Sequence, residues 1–355
     1  MINVTKTYLP PLEDYIIYLK KIWDKGQVTN NGPLVHELEE KLKKYLGVKH
    51  LFLTSNGTIA IQIAIKAFGL TKEIITTPFS YVATTTSILW ENCKPVFVDI
   101  DKNTLCINPK LIEQKITRNT EAILATHVYG IPCAVEEIEA IARKHKIKVI
   151  YDAAHAFGTI YKNRPLASYG DISTLSFHAT KIFHTIEGGA ILTNDDELAK
   201  KINLYRSFGH LGDDYFTIGI NGKNSEFHAA MGLCLLDKVP EFIAKRKKLS
   251  EEYDQQLSSA GLKKPTFLNN TTYNYSYYPI LFNSEKSLLK AKTVLNNKGI
   301  FPRRYFYPSL NQLPYNKGEN CPVSEDYAKR VICLPLYYEL SSDDVAKISE
   351  IIIIA

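Results

Sequence analysis

Only two Met, two Trp and six Cys occur in the 355 residues, and several patterns that announce a function class are missing. Cys93, Cys106, Cys133, Cys234, Cys321 and Cys333 are scattered without any CxxC pair, which excludes a disulfide framework or a zinc knuckle and predicts reduced, mostly buried thiols. HExxH and HxxxH are absent, so no metal site is expected. GxxxxGK[ST] and GxGxxG are absent too, which disfavours mononucleotide and dinucleotide loops of those kinds. No stretch approaches the ~20 apolar residues needed to cross a bilayer, the longest aliphatic run being the strand-sized IIII at 351–354. The opening MINVTKTYLPPLEDY has neither an apolar core nor a small-residue cleavage site, so a cytoplasmic location is expected and no membrane partner. The excess of 43 Lys and Arg over 37 Asp and Glu is too thinly spread to indicate nucleic acid, yet it is compatible with acidic ligands.

A 45% hydrophobic fraction with 22 Tyr and 15 Phe predicts a folded chain with a real core. In LVHELEEKLKKYLG, Leu34, Leu38, Leu42 and Leu46 recur every four residues before Gly47, the pattern of an amphipathic helix. A strand over His50–Leu53 then turns through Ser55, Asn56 and Gly57 into an apolar helix closing at Gly69. Short β-branched runs follow in EIITTPF, KPVFVDID, EAILATHVYG, IKVIYDAAHAFG, ISTLSFH and GAILTN, with helical stretches such as CAVEEIEAIARKHK between some of them. The alternation predicts an α/β sandwich with a largely parallel sheet whose polar groups collect at strand ends.

Past residue 235 the texture changes to a long helix, a Tyr-rich segment at 273–278, a second helix, GIFPRRYFYPSL and a terminal helix. The expected division is an N-terminal segment 1–25 packed on a small domain, a large domain 26–238, and a small α+β domain 239–355 with antiparallel strands. The basic run AKRKKL at 244–249 reads as a solvated helix face.

Three sites carry chemistry. In SNGT, residues 55–58, a strand end passes through glycine into a helix whose free N–H groups could hold a phosphate, or the segment is a plain turn with Thr58 as cap. In VIYDAAHAFG, Asp152 leaves an apolar strand three residues before His155. A carboxylate there is costly unless paired, and it can meet a protonated ring nitrogen, bind metal, orient a histidine or cap a turn. In TLSFHATKIFHTIEGGAILTN, Ser176, His178, Lys181, His184 and Glu187 crowd between two strands. A buried lysine amine loses its proton more readily and then adds to an aldehyde, whereas an ordinary surface lysine would do nothing of the kind. Phosphate cradle, carboxylate and amine together meet the needs of pyridoxal 5'-phosphate.

The ordered set SNGT, TPFSYVAT, YDAAHAFG, SFHATK and EGGAI resembles the DegT/DnrJ/EryC1/StrS family of nucleotide-sugar aminotransferases over nearly the whole chain. The resemblance implies a fold-type I, aspartate aminotransferase-like architecture with pyridoxal phosphate held covalently by Lys181 and its ring nitrogen by Asp152. It implies that Tyr81 stacks on the ring, that His155 covers the other face or neighbours the ring hydroxyl, and that Gly57, Thr58 and Ser176 hold the phosphate. A homodimer is implied as well, because the family draws an Asn from the neighbouring subunit out of a GYN-like motif. Here that segment reads GINGKN, so Asn221 is retained while the motif's tyrosine and arginine are replaced. GIFPRRYFYPSLNQLPY resembles members acting on dTDP-linked 4-keto-6-deoxy sugars, which makes Arg303, Arg304, Tyr305 and Tyr307 candidates for contacts to substrate or L-glutamate, with aromatic core packing and surface arginines as the other reading. Asn30 and Asn31 are expected to border the sugar pocket. The reaction so implied moves the amino group of L-glutamate to the 4-ketone, giving dTDP-4-amino-4,6-dideoxy-D-glucose and 2-oxoglutarate. Amination at a 3-ketone, and a non-catalytic regulator on the same fold, are the alternatives.

Overall fold

The computed structural model describes residues 1–354. Seven strands form one sheet: β1 (His50–Thr54), β2 (Glu73–Thr76), β3 (Lys94–Phe97), β4 (Thr120–Thr126), β5 (Lys148–Asp152), β6 (Ile172–Ser176) and β7 (Gly189–Thr193). Their spatial order is β1-β7-β6-β5-β4-β2-β3. The four pairings from β6 through β3 are parallel, and β7 is antiparallel to both β6 and β1. Six strands therefore run in one direction and deliver their C-terminal ends to the same edge, where an open α/β sheet places its ligands.

The strands are apolar at successive positions because helices cover both faces. On β5, Ile150 packs into one cluster with Ala60, Ala64, Ile88 and Ile202, whereas Val149 and Tyr151 join the opposite cluster with Leu38, Leu42 and Ile138. The helices of this lobe are α1 (Leu12–Lys25), α2 (Pro33–Leu46), α3 (Gly57–Phe68), α4 (Val82–Trp90), α5 (Val135–His145), α6 (Asp196–Arg206) and α7 (Glu226–Leu235). The leucine spacing of α2 does what the sequence predicts: Leu34, Leu38, Leu42 and Leu46 are all buried, and Gly47 closes the helix in the left-handed conformation.

After α8 (Val239–Gln256) come α9 (Glu285–Asn297) and α10 (Ser342–Ile354), in which the IIII run ends a helix. They enclose a separate core of Leu249, Leu288, Ile300, Ile332, Val345 and Ile348. Among the described residues no helix is long and apolar enough to cross a membrane.

Three expectations are corrected. The N-terminal segment does not pack on the C-terminal lobe as a unit. Ile2–Asn3 pair with Ile300–Phe301 and Val4 accepts from Leu336 N, but α1 lies on α7, where the Tyr15 hydroxyl reaches the Phe227 carbonyl at 3.0 Å. The apolar face of α1 finds its partner in Phe227 of the larger lobe, with Trp23 set edge-on to it at 6.0 Å. Strand pairing in the C-terminal lobe is mixed: Tyr278–Leu281 is antiparallel to Val331–Leu334, whereas Ile300–Phe301 pairs in parallel with the chain start. Tyr273–Tyr277 precede the strand, and their rings pack inward instead of alternating across a sheet. Within AKRKKL, Lys247 and Lys248 are exposed but Arg246 is buried, donating to the Ser276 and Leu336 carbonyls at 3.3 and 2.8 Å.

Candidate active site

The C-terminal ends of β1, β5 and β6 open into a cavity of about 280 Å³, close to the lower end of the ~300–1,000 Å³ common for ligand sites. Its walls bring together Gly57, Thr58, Tyr81, Asp152, His155, Ser176 and Lys181, which lie up to 124 positions apart in the chain.

One wall is the start of α3. Asn56 is the cap, its Oδ1 accepting from Ile59 N at 2.9 Å, so Thr58 is not the capping residue. The N–H groups of Gly57 and Thr58 have no acceptor among the described residues. Two glycines make the approach of chain segments possible. A Cβ on Gly57 would come within 3.0 Å of Ser176 Cβ, and one on Gly189 would meet the Asn56 carbonyl carbon and oxygen at 2.6 Å. Free N–H groups at the positive end of a helix, beside the Ser176 hydroxyl, form an anion cradle.

Asp152 terminates β5 and is buried. Its Oδ2 accepts from Thr84 Oγ1 at 2.6 Å and its Oδ1 from Ala154 N at 3.1 Å. Behind Thr84 the hydroxyls continue: Thr84 meets Ser80 Oγ at 2.7 Å, and Thr126 donates to Ser80 Oγ at 3.1 Å. With Thr84 committed as donor to the carboxylate, Ser80 must donate to Thr84, so three hydroxyls are aligned toward Asp152. Burial raises the Asp152 pKa, opposed by the Thr84 and Ala154 hydrogen bonds and by the Lys181 charge. A carboxylate so placed gains by meeting a cationic N–H.

Lys181 follows the β6 end on a short turn, its N–H bonded to the His178 carbonyl at 2.9 Å. Burial lowers its amine from 10.5 to about 8, outweighing the opposing effects of Asp152 and Tyr81. Its one side-chain partner among the described residues is the Tyr277 hydroxyl, at 3.4 Å. His155 is buried and stacked on Phe306, with ring centroids 5.6 Å apart and planes 10° apart. Its Nδ1 accepts from Tyr129 N at 3.3 Å, and burial, reinforced by the Lys181 charge, holds its pKa well below the usual range, so it is a neutral ring. Tyr81, 54% exposed at the start of α4, stands free at the cavity wall.

This arrangement can attach an aldehyde, protonate a ring nitrogen and hold a phosphate. Across residues 12–353 the chain matches the model of the DegT/DnrJ/EryC1/StrS aminotransferase family. The chain belongs to this family. It is a pyridoxal-phosphate-dependent aminotransferase, as the chemistry of the cavity walls leads one to expect. It is 45% identical to the dTDP-4-amino-4,6-dideoxy-D-glucose transaminase of Shigella dysenteriae, over 96% of this chain and 95% of that one. It is 40% identical to the Escherichia coli transaminase of the same name, over 99% and 98%. The crystal structure of DesI in the presence of its TDP-sugar product superposes with a TM-score of 0.95 at 31% identity, covering 99% of this chain and 92% of DesI. The expected aminotransferase fold, with its mixed sheet and flanking helices, is thereby established for this family member.

Of the other residues singled out from sequence, Arg303 and Tyr305 line the cavity, and Arg304, Tyr307, Asn30, Asn31 and Asn221 do not. Arg304 is drawn away by Glu285 at 2.7 Å and stacks on the Tyr307 ring at 3.6 Å. Asn30 and Asn31 sit on the loop before α2 in the left-handed region, with φ of 61° and 53°. Asn221 is exposed beside the hairpin of the 207–221 segment, its Oδ1 taken by Lys223 Nζ at 2.8 Å. His184 is buried and points away from the cavity to the Tyr8 carbonyl at 2.8 Å, while His178 and Glu187 stay at the cavity. Thr84, Tyr277 and Phe306 escaped the sequence reading. Thr84 could have been found from its place one turn past Tyr81 in TPFSYVAT, but nothing local to Tyr277 or Phe306 points at residues 96 or more positions away.

Proposed function

We propose that the enzyme moves the amino group of L-glutamate to the 4-ketone of dTDP-4-keto-6-deoxy-D-glucose, yielding dTDP-4-amino-4,6-dideoxy-D-glucose and 2-oxoglutarate. The reading is carried by the meeting of the Lys181 amine, the Asp152 carboxylate and the α3 N-terminus in one cavity. Two transaminases of that name at 45% and 40% identity support the choice of acceptor.

The residues present fit pyridoxal phosphate, because the cradle at Gly57, Thr58 and Ser176 has unpartnered donors for a phosphate and Asp152 is a buried acid with no cationic N–H partner. When bound, the cofactor supplies an aldehyde carbon for the amino group and a ring that accepts electrons from the substrate carbon. Gly57 and Thr58 N–H with the Ser176 hydroxyl hold its phosphate, helped by Asn221 of a second copy of the chain. Asp152 would hold a proton on the ring nitrogen, and Tyr81 and His155 would flank the ring. Lys181 would carry the covalent attachment. Once free and neutral, its amine would take the proton from the donor's α-carbon and pass it to the cofactor's aldehyde carbon, and in the return half it would move a proton from that carbon to the acceptor carbon.

The test is incubation with L-glutamate and either the 4-keto sugar nucleotide or its 3-keto isomer, followed by NMR assignment of the carbon that gains nitrogen. Nitrogen at C4 is expected. Reaction of the 3-keto compound alone would overturn the regiochemistry, and absence of 2-oxoglutarate would overturn glutamate as donor.

A further inference from the structure

Between α8 and the chain from residue 264 to 279 lies a second cavity, of about 220 Å³. That is below the ~300–1,000 Å³ of most ligand sites, so an occupant must be small. Its walls are largely aromatic. Phe267 stacks on Tyr273 with ring centroids 4.4 Å apart, Tyr275 meets Tyr273 edge-on at 5.1 Å, and Tyr277 and Tyr278 complete the enclosure. Tyr277 also lines the active-site cavity, so the two cavities share a wall.

These phenols present ring faces more than protons. Tyr273 gives its O–H to the Tyr129 carbonyl at 2.8 Å, Tyr278 gives its O–H to Asp254 at 2.5 Å, and Tyr277 turns its oxygen to the Lys181 amine. What the cavity has in excess is acceptors. Asp254 takes both Tyr278 and Lys264 on Oδ1, leaving Oδ2 without a partner among the described residues. Glu251 meets only Lys247, at 3.8 Å, beyond hydrogen-bond distance. Ser250, on the same turn of α8, is 2% exposed and its Oγ has no hydrogen-bond partner among the described residues. A buried hydroxyl left unpaired is costly, and a ligand with a polar group would relieve it.

Ring faces carry negative charge at their centres, and the two carboxylates of the walls outnumber the one lysine, so the cavity selects a cation. Lys264 already obeys this rule: its Nζ pairs with Asp254 and stands 4.7 Å from the centroid of the Tyr278 ring. Arg246, one turn before Ser250, spends its charge on the Ser276 and Leu336 carbonyls. No cation stands over the Tyr275 ring among the described residues. We infer that this cavity is a second ligand site, for a small organic ammonium ion held by the aromatic faces and by Glu251 and Asp254, with a polar substituent reaching Ser250. The site stands apart from the question of which sugar the enzyme aminates.

The experiment titrates the holoenzyme calorimetrically with choline, a quaternary ammonium that cannot condense with an aldehyde, and with 3,3-dimethylbutan-1-ol, its neutral counterpart of the same shape. Choline is expected to bind at least about tenfold more tightly than the alcohol. Tyr275→Leu should weaken choline about 3- to 30-fold by removing a ring face. Glu251→Gln, a change at an exposed carboxylate, should weaken it about two- to fivefold, and Ser250→Ala about two- to tenfold. Denaturation midpoints for Glu251→Gln and Tyr275→Leu that match the unaltered protein would tie those losses to the site and not to unfolding. Equal affinity for the two probes, no binding of either, or choline binding unchanged in both Tyr275→Leu and Glu251→Gln overturns the inference.

Discussion

At Lys181 two opposing effects meet, burial that expels the proton and the Asp152 charge that would keep it, and burial prevails to set the amine at about 8. In an unfolded chain the same amine titrates at 10.5. Between the two values the folded protein holds fewer protons than the unfolded one, so this group makes stability rise with pH across that window and adds no slope below it. Attachment of added pyridoxal phosphate to cofactor-free protein needs the neutral amine. Its rate, read from cofactor absorbance, should therefore rise about tenfold per pH unit up to about 8 and then level off. A flat profile from pH 6 to 9 would show that the amine is already neutral. Thr84→Val tests the hydroxyl relay behind Asp152. It removes an O–H···O⁻ bond of ~1.5–3 kcal/mol and should lower kcat by about tenfold with KM values little changed. Equal kcat in the variant would mean that Ala154 N alone suffices to orient the carboxylate.

Helix ends and strand ends carry the site, and two buried carboxylates hold those ends in place. Glu226, at the start of α7, accepts from Leu34 N at 2.8 Å and Val35 N at 2.9 Å, capping α2 from outside. Glu226→Ala should cost ~1.5–3 kcal/mol, measured as a lower denaturation midpoint. The fit is tight enough that a Cβ on Gly32 would lie 2.6 Å from the Glu226 carboxyl carbon, so Gly32→Ala should also destabilise. Glu39 on α2 pairs with Arg206 at the end of α6 at 2.6 Å, and both hold β1, Glu39 through Leu53 N and Arg206 through Leu53 O. Removing one partner of this buried pair, as in Glu39→Gln, should cost ~3–5 kcal/mol. A loss under 1 kcal/mol would show that water reaches the guanidinium.

For the whole molecule, the segment ahead of Asn221 exposes Phe208, Leu211, Tyr215, Phe216, Ile218 and Ile220. So large an apolar surface on one hairpin suits burial against a second copy of the chain, in keeping with the proposal that Asn221 completes its neighbour's phosphate site. Lys181→Ala and Asn221→Ala should each be inactive as homodimers. Mixed after reversible dissociation, they should recover about a quarter of wild-type activity, because half the dimers are hybrids with one intact site. No recovery in hybrids shown to form would place Asn221 in its own subunit's site or outside both.

Much of this was legible in the residues themselves. Period-four leucines announced α2, side-by-side aliphatics announced strands covered on both faces, and SNGT, YDAAHAFG and SFHATK placed their functional groups at strand ends, because local backbone geometry dictates each of these patterns. The pairing of Ile2–Asn3 with Ile300–Phe301, the burial of Arg246, the arrival of Tyr277 at Lys181 and the parting of Arg303 from Arg304 depended on contacts between segments far apart in the chain. Side chains alike in sequence, two arginines in succession or four tyrosines in six positions, differ only in which neighbours the fold puts against them. The residue types and their local spacing settled what chemistry the chain could perform, and tertiary packing decided which copies of each residue type were left free to perform it.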